Sequence, residues 1–147
     1  MRPDNPNFRP CHRYGMDAVG PGWEKILVDL DHQFVMITGI GTDRHGQIKI
    51  RQIKEKFGLL RIYADFQAFD EEKRKQLHAA VGEAENKSTV VCEVCGEPGK
   101  PRAGEQFSWV KTFCQDHHLE RDTTGVNPLQ KFWEERNQEE QVMRPRG

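Results

Sequence analysis

The 147-residue chain has a formal net charge of −1, with 35% hydrophobic and 31% charged residues. That supports one modest core in a single domain, or a domain with a small appendage, and removes the bulk attraction that marks a polyanion binder, leaving only a local patch. No apolar run reaches the roughly 18 residues of a membrane span, and Met1 opens onto "RPDNPNFRP" without a signal-peptide stretch, so the expected compartment is a cytoplasm.

Residues 1–21, rich in prolines, glycines and polar breakers, read as an extended arm, either docked or mobile. Its Cys11-His12 dipeptide is an incidental neighbour pair or a metal pair. Residues 22–88 read as an α+β core. In "GWEKILVDLDHQF", Trp23, Ile26, Leu27, Leu30 and Phe34 recur at helical spacing and predict an amphipathic helix. "GTDRHGQ" over 41–47 is a turn or loop, and "IKIRQIKEKFGLLRIYADF" predicts two strands joined near "EKFG". In the second strand Leu60, Ile62, Ala64 and Phe66 share one face, and Arg61, Tyr63 and Asp65 the other. In the first strand the alternation of Ile48 and Ile50 with Lys49 and Arg51 slips at Gln52-Ile53, which predicts a bulge or a strand end. Lys49, Arg51, Lys54, Lys56 and Arg61, with Tyr63, form either a basic, partly aromatic binding surface or a solvated face whose lysines guard the sheet edges. The near-neutral net charge favours the solvated face. "FDEEKRKQLHAAVGEAENKS" is the clearest helix, with Asp70 as N-cap, Glu71 and Glu72 at the positive end of the dipole, and a core stripe of Leu77, Ala80, Val81 and Ala84. His78 beside that stripe reads as a boundary residue.

Residues 89–121 carry the strongest chemical signal. "VCEVCGEPGK" and "FSWVKTFCQDHHLE" together give C-x2-C-x18-C-x2-H through Cys92, Cys95, Cys114 and His117, which are soft and borderline ligands at zinc spacing. A C-x-x-C turn points both sulfurs to one side, and Gly96 can take the positive φ that closes it. In a reducing compartment such a pair is a metal site sooner than a disulfide, and Gly96, Pro98 and Gly99 forbid the helix that a thioredoxin-like redox pair requires. His117 is preferred because C-x-x-H mirrors C-x-x-C. His118 is the alternative ligand or a donor to the site. Strand, knuckle, loop, strand and second ligand pair describe a zinc ribbon or a treble-clef-like knuckle holding one structural Zn²⁺. Four protein ligands leave no open position for catalysis. The segment 96–113 has no histidine or aspartate, so the catalytic strand of an HNH nuclease is missing, and Asp31-His32 lies far upstream at a helix end.

Residues 122–147 are broken at "TTGVNP" and then predict a short helix, "LQKFWEERNQEEQV", before a disordered "MRPRG". Phe132 and Trp133 in it pack on this domain, on a second copy or on another protein.

"GW" at Gly22-Trp23, "QIKEKFGLLRIY" at 52–63, "CEVCGEPG" at 92–99 and "WVKTFCQDH" ending at His117 resemble a family of small uncharacterised proteins of bacteria and their phages. The resemblance covers about residues 22–117. The family has a second glycine where this chain has Leu59. It implies the same order of helix, hairpin and knuckle and the Cys92, Cys95, Cys114, His117 ligand set, but no activity. The functional expectation is a non-enzymatic, zinc-stabilised protein-binding factor in the cytoplasm of a bacterial or phage-infected bacterial cell, a phage or mobile-element accessory or inhibitor of a host complex. The alternative is a nucleic-acid-binding module using the basic hairpin and the zinc ribbon. A third reading, a metal-dependent enzyme such as a degenerate nuclease, would rest on His12, His32, His45 or the Asp116-His117-His118 cluster.

Overall fold

The computed structural model describes residues 10–39, 47–104 and 110–143. Five helices and two antiparallel hairpins make up an α+β chain: α1 (Pro10–Gly15), α2 (Glu24–Thr38), β1 (Lys49–Lys56), β2 (Leu59–Asp65), α3 (Glu71–Lys87), β3 (Lys100–Ala103), β4 (Val110–Phe113), α4 (Gln115–Thr124) and α5 (Pro128–Met143). The expected turn at 41–47 falls almost wholly outside the described residues.

The main core is a helix pair on a hairpin. Trp23, Ile26, Leu27, Leu30 and Phe34 from α2 and its lead-in, and Leu77, Ala80, Val81 and Ala84 from α3, are all buried, as their helical spacing requires. They meet Ile53, Leu60, Ile62 and Phe66 on the inner hairpin face. The predicted slip is present, since the β1–β2 register shifts between Ile50 and Gln52. At the start of α3 the Asp70 carboxylate accepts the Lys73 N–H at 2.8 Å, the expected cap. Helix α2 runs through Asp31 to Thr38, so Asp31-His32 sits within the helix and not at its end.

The extended arm is corrected over its second half. Pro10–Gly15 is helical and Cys11 is buried in the main core. Proline is tolerated in a first helical turn, and the N–H groups of Cys11 and His12 are taken up by the Asp31 carboxylate at 2.8 and 2.9 Å. Residues 1–9 lie outside the described residues, as does the expected disordered tail from Arg144 onward.

Between α3 and α4 the chain forms the knuckle, then the β3–β4 hairpin, then a helix whose first turn follows the last strand at once. That order is a treble clef rather than a ribbon, because the fourth ligand position lies on α4. Beneath it a small second core joins Cys92, Phe113 and Leu129, with Trp133 packed against it. No helix among the described residues is long and apolar enough to cross a membrane.

Candidate metal centre

The knuckle is built by its backbone. Gly96 N–H donates to the Cys92 carbonyl at 2.9 Å, Cys92 N–H to the Glu97 carbonyl at 2.8 Å, and Gly96 takes φ 83°. Both sulfurs therefore leave the turn on one side. The second ligand pair is set by a helix start. Cys114 is the N-cap of α4, with extended φ −69° and ψ 169°, which makes His117 its third helical residue. These two positions converge in a capping box, and here they carry a thiol and an imidazole instead of a hydroxyl and a carboxylate.

The ligand atoms of Cys92, Cys95, Cys114 and His117 all lie within 4.8 Å of one another. The Cys95 and Cys114 sulfurs are 3.8 Å apart, and His117 Nδ1 is 3.6 Å from the Cys92 sulfur and 3.3 Å from that of Cys114. A tetrahedral ion with metal–sulfur bonds of ~2.3 Å and metal–nitrogen bonds of ~2.0 Å has sulfur–sulfur edges of about 3.8 Å and sulfur–nitrogen edges of about 3.5 Å. The group thus fits a single metal ion. As a free thiol, Cys95 is pushed up to about 12 by desolvation, with the sulfurs of Cys92 and Cys114 adding to it against the Glu97 N–H. Several thiolates this close need a cation between them.

His118 is not part of this group. Its Nδ1 lies 3.3 Å from Arg121 Nη2 and its Nε2 3.4 Å from Asp122, because consecutive residues on α4 point about 100° apart. Cys11 packs in the main core, where burial first and then Asp31 push its thiol well up. His12 approaches Glu24 at 3.8 Å, His32 is exposed on α2, and His45 lies outside the described residues.

Three buried charged residues escaped the sequence reading. Glu93, between the first two ligands, accepts the Gly20 N–H at 3.1 Å and lies 3.6 Å from the Lys111 ammonium. Burial raises its pKa, opposed by Lys111 and the Gly20 N–H. Lys111 on β4 also bonds Glu55 of β1, so one ammonium joins the first hairpin to the knuckle. Arg121 lies under the second hairpin, its guanidinium 5.1 Å from the Phe113 ring centroid and donating to the Arg102 carbonyl at 3.0 Å. Burial lowers its pKa, with Asp122 acting the other way. The available signal was Glu93 between two ligand cysteines, a position where a side chain has little room to escape the knuckle.

None of the hairpin residues Lys49, Arg51, Lys54, Lys56, Arg61 and Tyr63 belongs to the metal group. Trp133 is packed on the chain's own small core and Phe132 meets it edge-on at 5.0 Å. A cleft of about 590 Å³ adjoins the knuckle, lined by Pro21, Ile26, Val90 and Val91 and by both signs of charge, including Lys25, Asp29 and Lys87, with Cys95 at one wall. No family model matches the chain, and no curated protein or solved structure matches it either.

Proposed function

We propose that the chain is a non-enzymatic binding factor whose fold is completed by one structural Zn²⁺. The carrying observation is that three sulfurs and one imidazole nitrogen lie within 4.8 Å of one another, with the Cys92–His117, Cys95–Cys114 and Cys114–His117 separations close to tetrahedral edges. Three thiolates and an imidazole are a zinc donor set, and four protein ligands leave the ion no position for water or substrate. The metal holds together the knuckle and the start of α4. The partner on this reading is a protein. The cleft beside the knuckle, apolar in part and edged by both charge signs, suits an extended segment of it. The role on this reading is that of an accessory or inhibitor of a host complex.

Elemental analysis of the purified chain is expected to give one zinc per molecule. A strong chelator should unfold the C-terminal half, because binding free energy of about 10 kcal/mol or more is folding free energy at such a site. Iron in place of zinc, sub-stoichiometric metal with an unchanged melting temperature, or zinc-dependent cleavage of nucleic acid or peptide would each overturn the proposal.

A further inference from the structure

The β1–β2 hairpin has an outer face that neither the core nor the metal centre uses. Its register pairs Gln52 with Tyr63, Lys54 with Arg61 and Lys56 with Leu59. Side chains alternate across a strand, so these six residues share the side opposite Ile53, Leu60 and Ile62. Lys54 therefore stands directly across from Arg61, and like charges at opposed positions destabilise a strand pair.

Nothing among the described residues neutralises this arrangement. Among the described residues no carboxylate pairs with Lys54, Lys56 or Arg61. The Lys54 ammonium lies 5.5 Å from the Tyr63 ring centroid, and that of Lys56 lies 5.6 Å from the ring of Phe57. The other two expected cations differ. Arg51 is held by Asp65 at 2.8 Å, and Lys49 stands across from that same Asp65. The uncompensated stripe thus narrows to three cations with one aromatic at each end. Phe57, at the hairpin tip, is 69% exposed.

The tip is also fixed in place. Glu55, on the inner side of β1, accepts the Gly58 N–H at 2.9 Å and bonds Lys111, while Thr112 Oγ1 donates to the Gly58 carbonyl at 2.5 Å. The backbone that carries the stripe is therefore held in one geometry, which lowers the ordering cost of binding to that of the side chains.

We propose that this face binds single-stranded nucleic acid, with phosphates on Lys54, Lys56 and Arg61 and bases against Tyr63 and Phe57. Cations interleaved with exposed rings are the pattern that tracks a backbone while bases stack, and a duplex offers no free base faces to such rings. An acidic protein surface would use the cations and leave the rings idle.

The test is fluorescence anisotropy of a labelled oligothymidylate and oligouridylate with the full, zinc-loaded chain. Binding in the micromolar range is expected at about 50 mM salt, falling about twentyfold when salt is raised to about 200 mM, as three phosphate contacts on a single strand require. Lys54→Ala/Arg61→Ala should bind more weakly and reduce that salt penalty to about threefold. Tyr63→Ala should weaken binding about tenfold with the salt slope unchanged. Lys49→Ala/Arg51→Ala is the control and should change little. Melting curves check that each variant is folded, and relief of the like-charge pair should leave the Lys54/Arg61 variant at least as stable. Absence of binding at low salt, equal affinity for a duplex, insensitivity to Tyr63→Ala, an equal loss in the control, or preference for polyglutamate would each overturn the assignment.

Discussion

Asp31 shows how one residue holds an element that its own sequence would not sustain. Six residues are too few for an isolated helix, yet Pro10–Gly15 forms because a buried carboxylate on α2 accepts both Cys11 and His12 N–H groups. Asp31→Ala leaves one buried and one half-buried donor unpaired and should cost roughly 2–4 kcal/mol, read as a lowered urea midpoint. The pH dependence has a definite sign. Burial raises the Asp31 pKa above its ordinary value, against the pull of the His12 and Cys11 N–H groups. The folded state therefore holds this proton more tightly than the unfolded chain does. The stability so gained is present below the ordinary carboxylate range and is lost as pH rises through the raised value. Asp31→Asn removes that titration. The stability difference between wild type and Asp31→Asn should thus fall as pH rises from about 4, and a difference that grows with pH would contradict the assignment.

At the scale of elements, the β1–β2 turn joins two local requirements that pull apart. Phe57 and Gly58 both have positive φ, 55° and 81°, as a two-residue type I′ hairpin demands. Glycine meets that demand without strain, whereas a phenylalanine there costs about 1 kcal/mol. Phe57→Asn should raise stability by about 0.5–1 kcal/mol in thermal or urea unfolding. Gly58→Ala should do the reverse by about 1–2 kcal/mol, since its Cβ would meet the Lys111 and Thr112 backbone at 3.2 Å as well as being strained. Elements with apolar stripes were legible from sequence. Helices α2 and α3 bury the residues their spacing marks, and β1–β2 shows its bulge where the alternation slips. Helix α4 was not legible because its inward side is polar: it uses His117 toward the metal and Arg121 toward Phe113, while its one large apolar residue, Leu119, is exposed. Its end signals, Asp116 in the first turn and Gly125 at the C-cap, were present, but no hydrophobic period drew attention to them. The three cysteine positions of the metal site were legible because ligand spacing is a chemical constraint and does not depend on burial, and spacing also favoured His117 over the adjacent His118, which the helix turns away.

At the scale of the whole molecule, α5 ties the two ends of the described chain to the metal region. Leu129 is 2% exposed against Cys92 and Phe113, Trp133 covers them, and Arg136 donates to the Met16 carbonyl at 2.6 Å and pairs with Asp17 at 2.7 Å. A truncation after Gly125 should therefore lower the melting temperature by several degrees and speed metal loss to a chelator. Removing Leu129 alone accounts for about 2–4 kcal/mol by its lost burial and the cavity left behind. A truncated protein with unchanged melting and metal retention would instead mark α5 as an intermolecular element.

At Gly22 the joint between the helical core and the metal centre is main chain against main chain. A Cβ on Gly22 would lie 2.0 Å from the Cys92 carbonyl oxygen and 2.6 Å from the Gly96 nitrogen, and Gly22 N–H already donates to the Glu93 carbonyl at 2.8 Å. Most packing defects can be rescued by a compensating change in the opposing side chain. Here there is no opposing side chain to change. In sequence space Gly22 is consequently a position with a one-letter alphabet and no local suppressor, and variation that retunes the seam has to enter through the residues around it.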